Sequence, residues 1–409
     1  MTPEYLYLHV PFCVRRCSYC DFAVQAVRRA PVAAWLDAIE TELERLRATE
    51  AWAWPLRLRT IYVGGGTPSL LGRGAMAELR RRLEHFAQWD DATVEWTAEA
   101  NPESLDEALA RDWRAAGVNR ISLGAQTFDG PALAWMGRLH GTDGPARAVA
   151  AARAAGFENV SVDLIFGLPE RLRRDWRRDL ECALMLAPEH VSLYGLTAEP
   201  GAPLGRWVQE GREQLATEDT YEREYLLAVD RLVSAGYRHY EVSNFAHPGR
   251  ESRHNGAYWT GAAYLGLGPS AHSFLPPVRR WNLRDWEAYR SALAAGATAV
   301  GGSEVVDAVA SRIERIWLGL RTAEGLPLEH ERALPLARQW RDRGWAVLEQ
   351  GVVRLTPHGW LLLDRLALEL DGVLTQAAAR RTAADRLCLT TTAAARHICA
   401  HPPSLLADR

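Results

Sequence analysis

"HVPFCVRRCSYCDF", residues 9–22, sets Cys13, Cys17 and Cys20 in one short basic loop behind a β-like run. The chain has only six cysteines, yet three of them fall within these eight residues. Thiolates at C-x3-C-x2-C spacing reach one metal centre from a single loop. Zinc is one such centre; it takes four closed ligands, and His9 lies near enough in sequence to be recruited as the fourth. An iron–sulfur cluster held by three cysteines is the other, and it leaves one iron open to a further ligand. The spacing favours the cluster, because structural zinc sites draw their ligands in separated pairs.

Around this loop, a rhythm of β-like run, Gly/Pro/Asn-rich turn and helical stretch repeats through residue 245. The β-like runs are 5–10, 59–66, 93–100, 119–126, 159–169 and 190–197. Between them lie periodic helical segments, one opening at Pro31 and one expected to start at Ser104 as N-cap, with Glu107 three residues on and Gly117 past its end. Strands alternating with helices predict βαβ units and a parallel sheet. Six units with polar or glycine-bearing strand ends predict a partial (β/α)6 barrel whose site collects at the C-terminal mouth. An open doubly wound sheet is the alternative, but its first turn should carry glycines where this one carries cysteines.

Residues 246–300 read as an irregular, aromatic connecting segment. A helical, winged-helix-like module is expected over 301–372, with helices at 303–321, near 328–343 and at 357–370 and a two-stranded wing turning at Gly351. The tail, 373–409, is low in complexity; its Cys388, His397, Cys399 and His401 match no metal spacing.

Composition sets further bounds. Of the 409 residues 48% are apolar and 24% charged, ordinary for a soluble globular chain. The net charge of -3 gives no reason to expect a nucleic-acid partner. No lysine occurs; all 48 Lys+Arg residues are arginine, which excludes Schiff-base chemistry and a lysine-bearing P-loop. The opening residues lack a basic stretch followed by a long apolar one, and no apolar run is long enough to span a membrane. A reduced, cytoplasmic protein without an integral membrane segment is expected, with peripheral membrane contact left open.

"CVRRCSYC" resembles the cysteine signature of the radical S-adenosylmethionine (SAM) superfamily. The resemblance implies that Cys13, Cys17 and Cys20 hold a [4Fe-4S] cluster whose fourth iron is chelated by SAM, so the missing ligand is the cofactor. "YVGGGTPS" (62–69) resembles the family's glycine motif. With "EANPES", "NRISLGAQTF", "GRLHG" and "VDLIFGLP" in order, residues 5 to 370 resemble oxygen-independent coproporphyrinogen III oxidase (HemN) and its heme-chaperone branch, HemW. Position by position, the resemblance implies SAM contacts at Tyr7, Tyr19, Gly65, Gly66, Thr67, Glu99, Gln126, Arg138, Asp163 and Thr197. Carboxylates suit a ribose diol and an arginine fork suits a carboxylate.

Two departures separate the chain from the decarboxylating oxidases. Phe22 stands where they carry a further cysteine, and the chain begins only twelve residues before Cys13, without their N-terminal extension. "HNGAYW" (254–259) resembles the motif proposed for heme binding in HemW. It implies His254 as an axial ligand, with Asn255, Tyr258 and Trp259 against the macrocycle; His272 is a second candidate ligand. The implied function is a heme chaperone that binds cluster, SAM and heme and passes heme to an acceptor protein. The alternative is a radical SAM oxidase or methyltransferase of the HemN family.

Overall fold

The computed structural model describes residues 2–379; Cys388, His397, Cys399, His401 and the rest of the tail from 380 lie outside the described residues. All six expected strands form. They are β1 (Tyr5–Val10), β2 (Thr60–Gly65), β3 (Glu95–Ala100), β4 (Arg120–Gln126), β5 (Val160–Phe166) and β6 (His190–Gly195). They lie side by side in chain order and are all parallel. The connecting helices are α1 (Val32–Thr49), α2 (Ala75–Leu83), α3 (Glu107–Ala116), α4 (Gly144–Ala154) and α5 (Trp176–Met185), and α6 (Glu218–Ser234) follows β6.

The strand period of two divides the side chains. Ile61, Val63, Trp96, Ala98, Ile121, Leu123, Val162, Leu164, Val191 and Leu193 pack in the main core with residues of the helices. Their neighbours Tyr62, Glu99, Ser122, Gly124, Asp163 and Tyr194 line the concave side. A polar interior framed by an apolar wall is what positions the site.

The sheet stays open, so the barrel is partial. Beyond β6 it adds β7 (Arg238–Glu241) and β8 (Asn244–Ala246); beyond β1 it adds β9 (Tyr264–Leu267), β10 (His272–Leu275), β11 (Val278–Asn282) and β12 (Val300–Val305), twelve strands in all. The stretch 246–300, expected to be irregular, holds short regular elements between its loops: the strands β9, β10 and β11 and two helices, Arg253–Trp259 and Trp286–Ala294, with β9 parallel to β1. Its strands of four or five residues are too short to show alternation in sequence.

Two helix starts also differ from expectation. Asp106 caps α3, accepting from the Leu109 amide at 2.8 Å, while the Ser104 hydroxyl pairs with Ser69 at 2.6 Å. The helix expected from 303 begins at Ala308: α8 (Ala308–Arg321) is capped by Asp307, and Gly301 and Gly302, poor helix formers, lie in β12 instead.

The C-terminal module holds α8, α9 (Ala333–Asp342) and α10 (Leu363–Ala379). Its three-stranded sheet comprises β13 (Leu326–Pro327), β14 (Ala346–Glu349) and β15 (Val352–Leu355), with Gly351 at a positive φ of 77° in the wing turn. The helix expected at 357–370 is interrupted: a short helix, Pro357–Trp360, precedes α10. Val242, between β7 and β8, is buried in this second core and ties the module to the barrel.

Candidate functional site

The cysteine loop leaves β1 at the barrel mouth. Its backbone is pinned from several sides: the Ser18 amide donates to Met136 O at 3.1 Å, and Leu204 N donates to Ser18 O at 2.8 Å. Arg16 donates to Cys20 O at 3.2 Å and to Gly201 O at 3.0 Å, so this arginine clamps the loop instead of merely charging its surface. Cys13, Cys17 and Cys20 are free thiols bordering one cavity. Burial pushes the Cys13 thiol up to about 11 and the Cys20 thiol to about 12.

His9, the fourth ligand a zinc site would need, is committed elsewhere. Its Nε2 donates to Ala23 O at 2.9 Å, which leaves Nδ1 to accept from the Tyr7 hydroxyl at 3.0 Å. Burial lowers its pKa to about 4, so the ring is neutral. Among the described residues no three His, Cys, Asp or Glu side chains converge closely enough for a single ion. Zn–S bonds of about 2.3 Å demand such convergence, whereas a multi-iron cluster spreads its ligands around a larger body.

The glycine stretch is required by the cysteine segment itself. Gly65 has φ of 106°, and a Cβ there would sit 2.5 Å from the His9 ring; at Gly66 it would sit 2.6 Å from Phe12 O. These glycines let β2 close against the start of the cysteine loop. Gly65→Ala is expected to cost about 2–3 kcal/mol, from a strained φ plus overpacking. A thermal melt checks this, and an unchanged midpoint would contradict it.

Beyond the glycines, three groups of hydrogen bonds line the mouth. The Glu99 carboxylate accepts from Tyr62 OH at 2.8 Å and from Gly65 N at 2.9 Å. Burial, reinforced by the charge of Asp163, raises its pKa to about 7 against the lowering pull of those hydrogen bonds. Thr67 donates to Cys13 Sγ at 3.3 Å and accepts from Asn101 Nδ2 at 3.1 Å. Arg138 donates to Asn101 Oδ1 and Gly124 O, each at 2.7 Å, and faces Cys17 Sγ at 3.8 Å. Asp163 accepts from Ser122 at 3.1 Å and Ser161 at 3.2 Å, and burial raises its pKa. Gln126 sits at φ of 68° where the β4–β5 register slips, a bulge that aims a strand-end side chain into the cavity. Thr197 donates to Glu199 at 2.9 Å, and Tyr19 packs with Met136, Ile165 and Leu168 as an apolar flank.

The family model of the radical SAM superfamily matches residues 7–183. The heme chaperone HemW of Mycobacterium tuberculosis (strain CDC 1551 / Oshkosh) is 39% identical over 384 residues, covering 93% of this chain and 94% of that protein. The chain belongs to the HemW branch of the radical SAM superfamily. HemW of Bacillus subtilis (strain 168) is 33% identical over 78% of this chain and 84% of its own. The Escherichia coli coproporphyrinogen III oxidase (HemN) structure superposes with a TM-score of 0.76 at 20% identity, covering 90% of each chain, which shows the shared fold.

Radical SAM membership implies a [4Fe-4S] cluster and SAM, and the mouth fits both. It offers three free thiols on one rim, a polar wall of Glu99, Gln126 and Asp163, and an apolar flank at Tyr19. All ten residues for which SAM contacts were expected line this one cavity. Asn101, Ser122 and Ser161 were not singled out in sequence. Each lies on or directly after a strand, two or more positions from a polar inward residue, so the period-two alternation was the signal for them.

The residues of the expected heme motif sit at the other end of the barrel. His254, Asn255, Tyr258 and Trp259 lie on α7 (Arg253–Trp259), beneath the strand starts and opposite the cysteine loop. His254 is 1% exposed and both its ring nitrogens are engaged, by Thr60 Oγ1 at 2.7 Å and Tyr258 OH at 2.9 Å. An axial ligand needs an open nitrogen. Trp259 is covered by the Arg321 guanidinium, 4.3 Å from the ring centroid, and so offers that face to no macrocycle. His254, Asn255 and Tyr258 line the deep end of the same cavity, and His272 lines it while stacking on Trp281.

Proposed function

We propose that this protein is a heme chaperone that carries a [4Fe-4S] cluster and SAM at the barrel mouth and passes heme to an acceptor protein. The identity to HemW over nearly the whole chain carries the reading. Phe22, in place of the additional cysteine of the decarboxylating relatives, supports the chaperone over a porphyrinogen oxidase. Cys13, Cys17 and Cys20 would hold the cluster. When bound, the cluster and SAM supply one-electron reductive chemistry.

The chain's own residues then have defined tasks. Thr67 donates to a cluster-side sulfur, and Arg138 sets a positive charge beside another. Glu99 and Asp163 present acceptors to the hydroxyl and ammonium groups of SAM, and Tyr19 offers an apolar wall to its base. The partner is a heme-accepting protein, and we place the reaction in the cytoplasm. Free thiols support that location, and among the described residues no helix is long and apolar enough to cross a membrane.

The test is anaerobic reconstitution with iron and sulfide, then titration with SAM and with hemin, then incubation with apomyoglobin as a general heme acceptor. About one hemin per chain should bind and then move to apomyoglobin, with added coproporphyrinogen III left intact. Decarboxylated or methylated tetrapyrrole product would overturn the chaperone reading in favour of an enzyme. Absence of hemin binding would overturn it too.

A further inference from the structure

The HNGAYW helix is built into the floor of the barrel in a way that explains its residue types without iron. Its first turn rests on one carboxylate: Glu95, the first residue of β3, accepts from the Arg253 and His254 amides, both at 3.0 Å. Ser252 ties its third and fourth backbone positions: its Oγ accepts from Asn255 N at 3.3 Å and its carbonyl from Gly256 N at 3.0 Å. The helix thus presents His254 upward into the barrel in a fixed rotamer.

There the imidazole bridges Thr60 of β2 and Tyr258 of its own helix, one nitrogen donating and the other accepting. Its face lies against Tyr62, with ring centroids 5.0 Å apart, and nearer the mouth Tyr7 follows at 6.5 Å. Tyr62 in turn donates to Glu99, whose other oxygen accepts from Gly65 N. An unbroken series of contacts therefore runs from His254 through Tyr62 and Glu99 to the glycine stretch beside the cysteines. Burial lowers the His254 pKa to about 3, so the ring stays neutral as this bonding requires.

We propose that His254 is a positioning residue for the SAM site, holding Tyr62 and through it Glu99 and Gly65, and that it does not ligate heme iron. This rests on the reading that the mouth binds SAM. Removing the imidazole frees Thr60 and Tyr258 and leaves the Tyr62 ring unsupported, so the Glu99 carboxylate loses its fixed place. A glutamine retains one donor and one acceptor at similar reach and should restore much of that order.

The reconstituted full chain and its His254→Ala, His254→Gln and Tyr258→Phe variants are compared for SAM affinity by calorimetry, and for hemin affinity and ferric-heme absorption. His254→Ala should weaken SAM about ten-fold, the scale of one buried hydrogen bond. His254→Gln should recover most of that loss, and hemin affinity and spectrum should stay at wild-type values in both. Tyr258→Phe, which keeps the ring and hence the packing, should give a smaller loss of the same sign and keeps the test open if His254→Ala misfolds. Unchanged SAM affinity in His254→Ala overturns the positioning role, and so does a lowered melting point without rescue by glutamine. Weaker hemin binding with an altered ferric spectrum restores the ligand role. Wild-type protein that binds no SAM removes the mouth reading itself, while its hemin comparison still decides the ligand question.

Discussion

Cys17→Ala is expected to emerge from anaerobic reconstitution without the brown cluster chromophore, its iron and sulfide below about a tenth of wild type. SAM binding should fall with them, since the chelated iron is gone. Cys17 is the informative member of the trio because the loop does not depend on its sulfur. The loop is held through the Ser18 amide, the Arg16 clamp and the bond from Leu204 N to Ser18 O. The Cys17 sulfur meets a long contact from Arg138 at 3.8 Å and the side chain of Tyr19, neither of which holds the loop backbone, whereas Cys13 Sγ accepts from Thr67. The melting point of the cluster-free variant should therefore match that of cluster-free wild type. Cys182→Ala, at the half-buried cysteine of α5, should keep full cluster content and serves as the control. Retention of iron and sulfide at wild-type levels in Cys17→Ala would remove it from the ligand set. Stoichiometric zinc in the wild-type protein would remove the cluster.

The barrel and its mouth were legible because their information is local. A β-like run ending in a polar residue announces its place, and Tyr7, Glu99 and Asp163 fall where strand alternation points them into the cavity, while Gln126 is turned in by the bulge. The cysteine loop is likewise contained in eight consecutive residues. What escaped was decided by partners far along the chain. His254 reads as an available imidazole until Thr60, 194 positions away, takes one nitrogen. His9 reads as a spare zinc ligand until Ala23 and Tyr7 engage both of its nitrogens. Ser104 and Asp106 are both acceptable N-caps locally; Ser104 turns instead to Ser69 and Asn101, which leaves the cap to Asp106. At 300–305 the pairing of β12 with β11 outweighs the helical periodicity that follows. Residue type shows which bonds a side chain can make, and only the fold shows which are already made.

Arg321→Met should be the most damaging single change outside the mouth, because it strands a carboxylate where the module meets the barrel. The Arg321 guanidinium lies between the rings of Trp259 and Trp317, at 4.3 and 5.3 Å, and its Nε is 2.9 Å from Glu241 Oε2. That ion pair is close but not aligned as a hydrogen bond, since Arg321 Nε and Glu241 Oε2 each lack a hydrogen-bond partner. Its value is therefore neutralisation of a carboxylate that is 0% exposed. Removing one member of such a pair costs about 3–5 kcal/mol, whereas replacing both is far milder. Burial raises the Glu241 pKa and Arg321 opposes that rise. Without the arginine the carboxyl shifts further toward its neutral form, so the deficit should shrink as pH falls through its raised pKa and be largest at alkaline pH. Because α8 packs mainly with α10 and meets the barrel through Trp317, Leu318 and Val242, the module should loosen before the barrel unfolds, exposing the 321–325 turn to protease. Melts at pH 5 and pH 8 together with limited proteolysis read this out, and Arg321→Met combined with Glu241→Gln should recover much of the loss. A single variant within about 0.5 kcal/mol of wild type at pH 8 would show that the packing of Val242 and Trp360 alone holds the module in place.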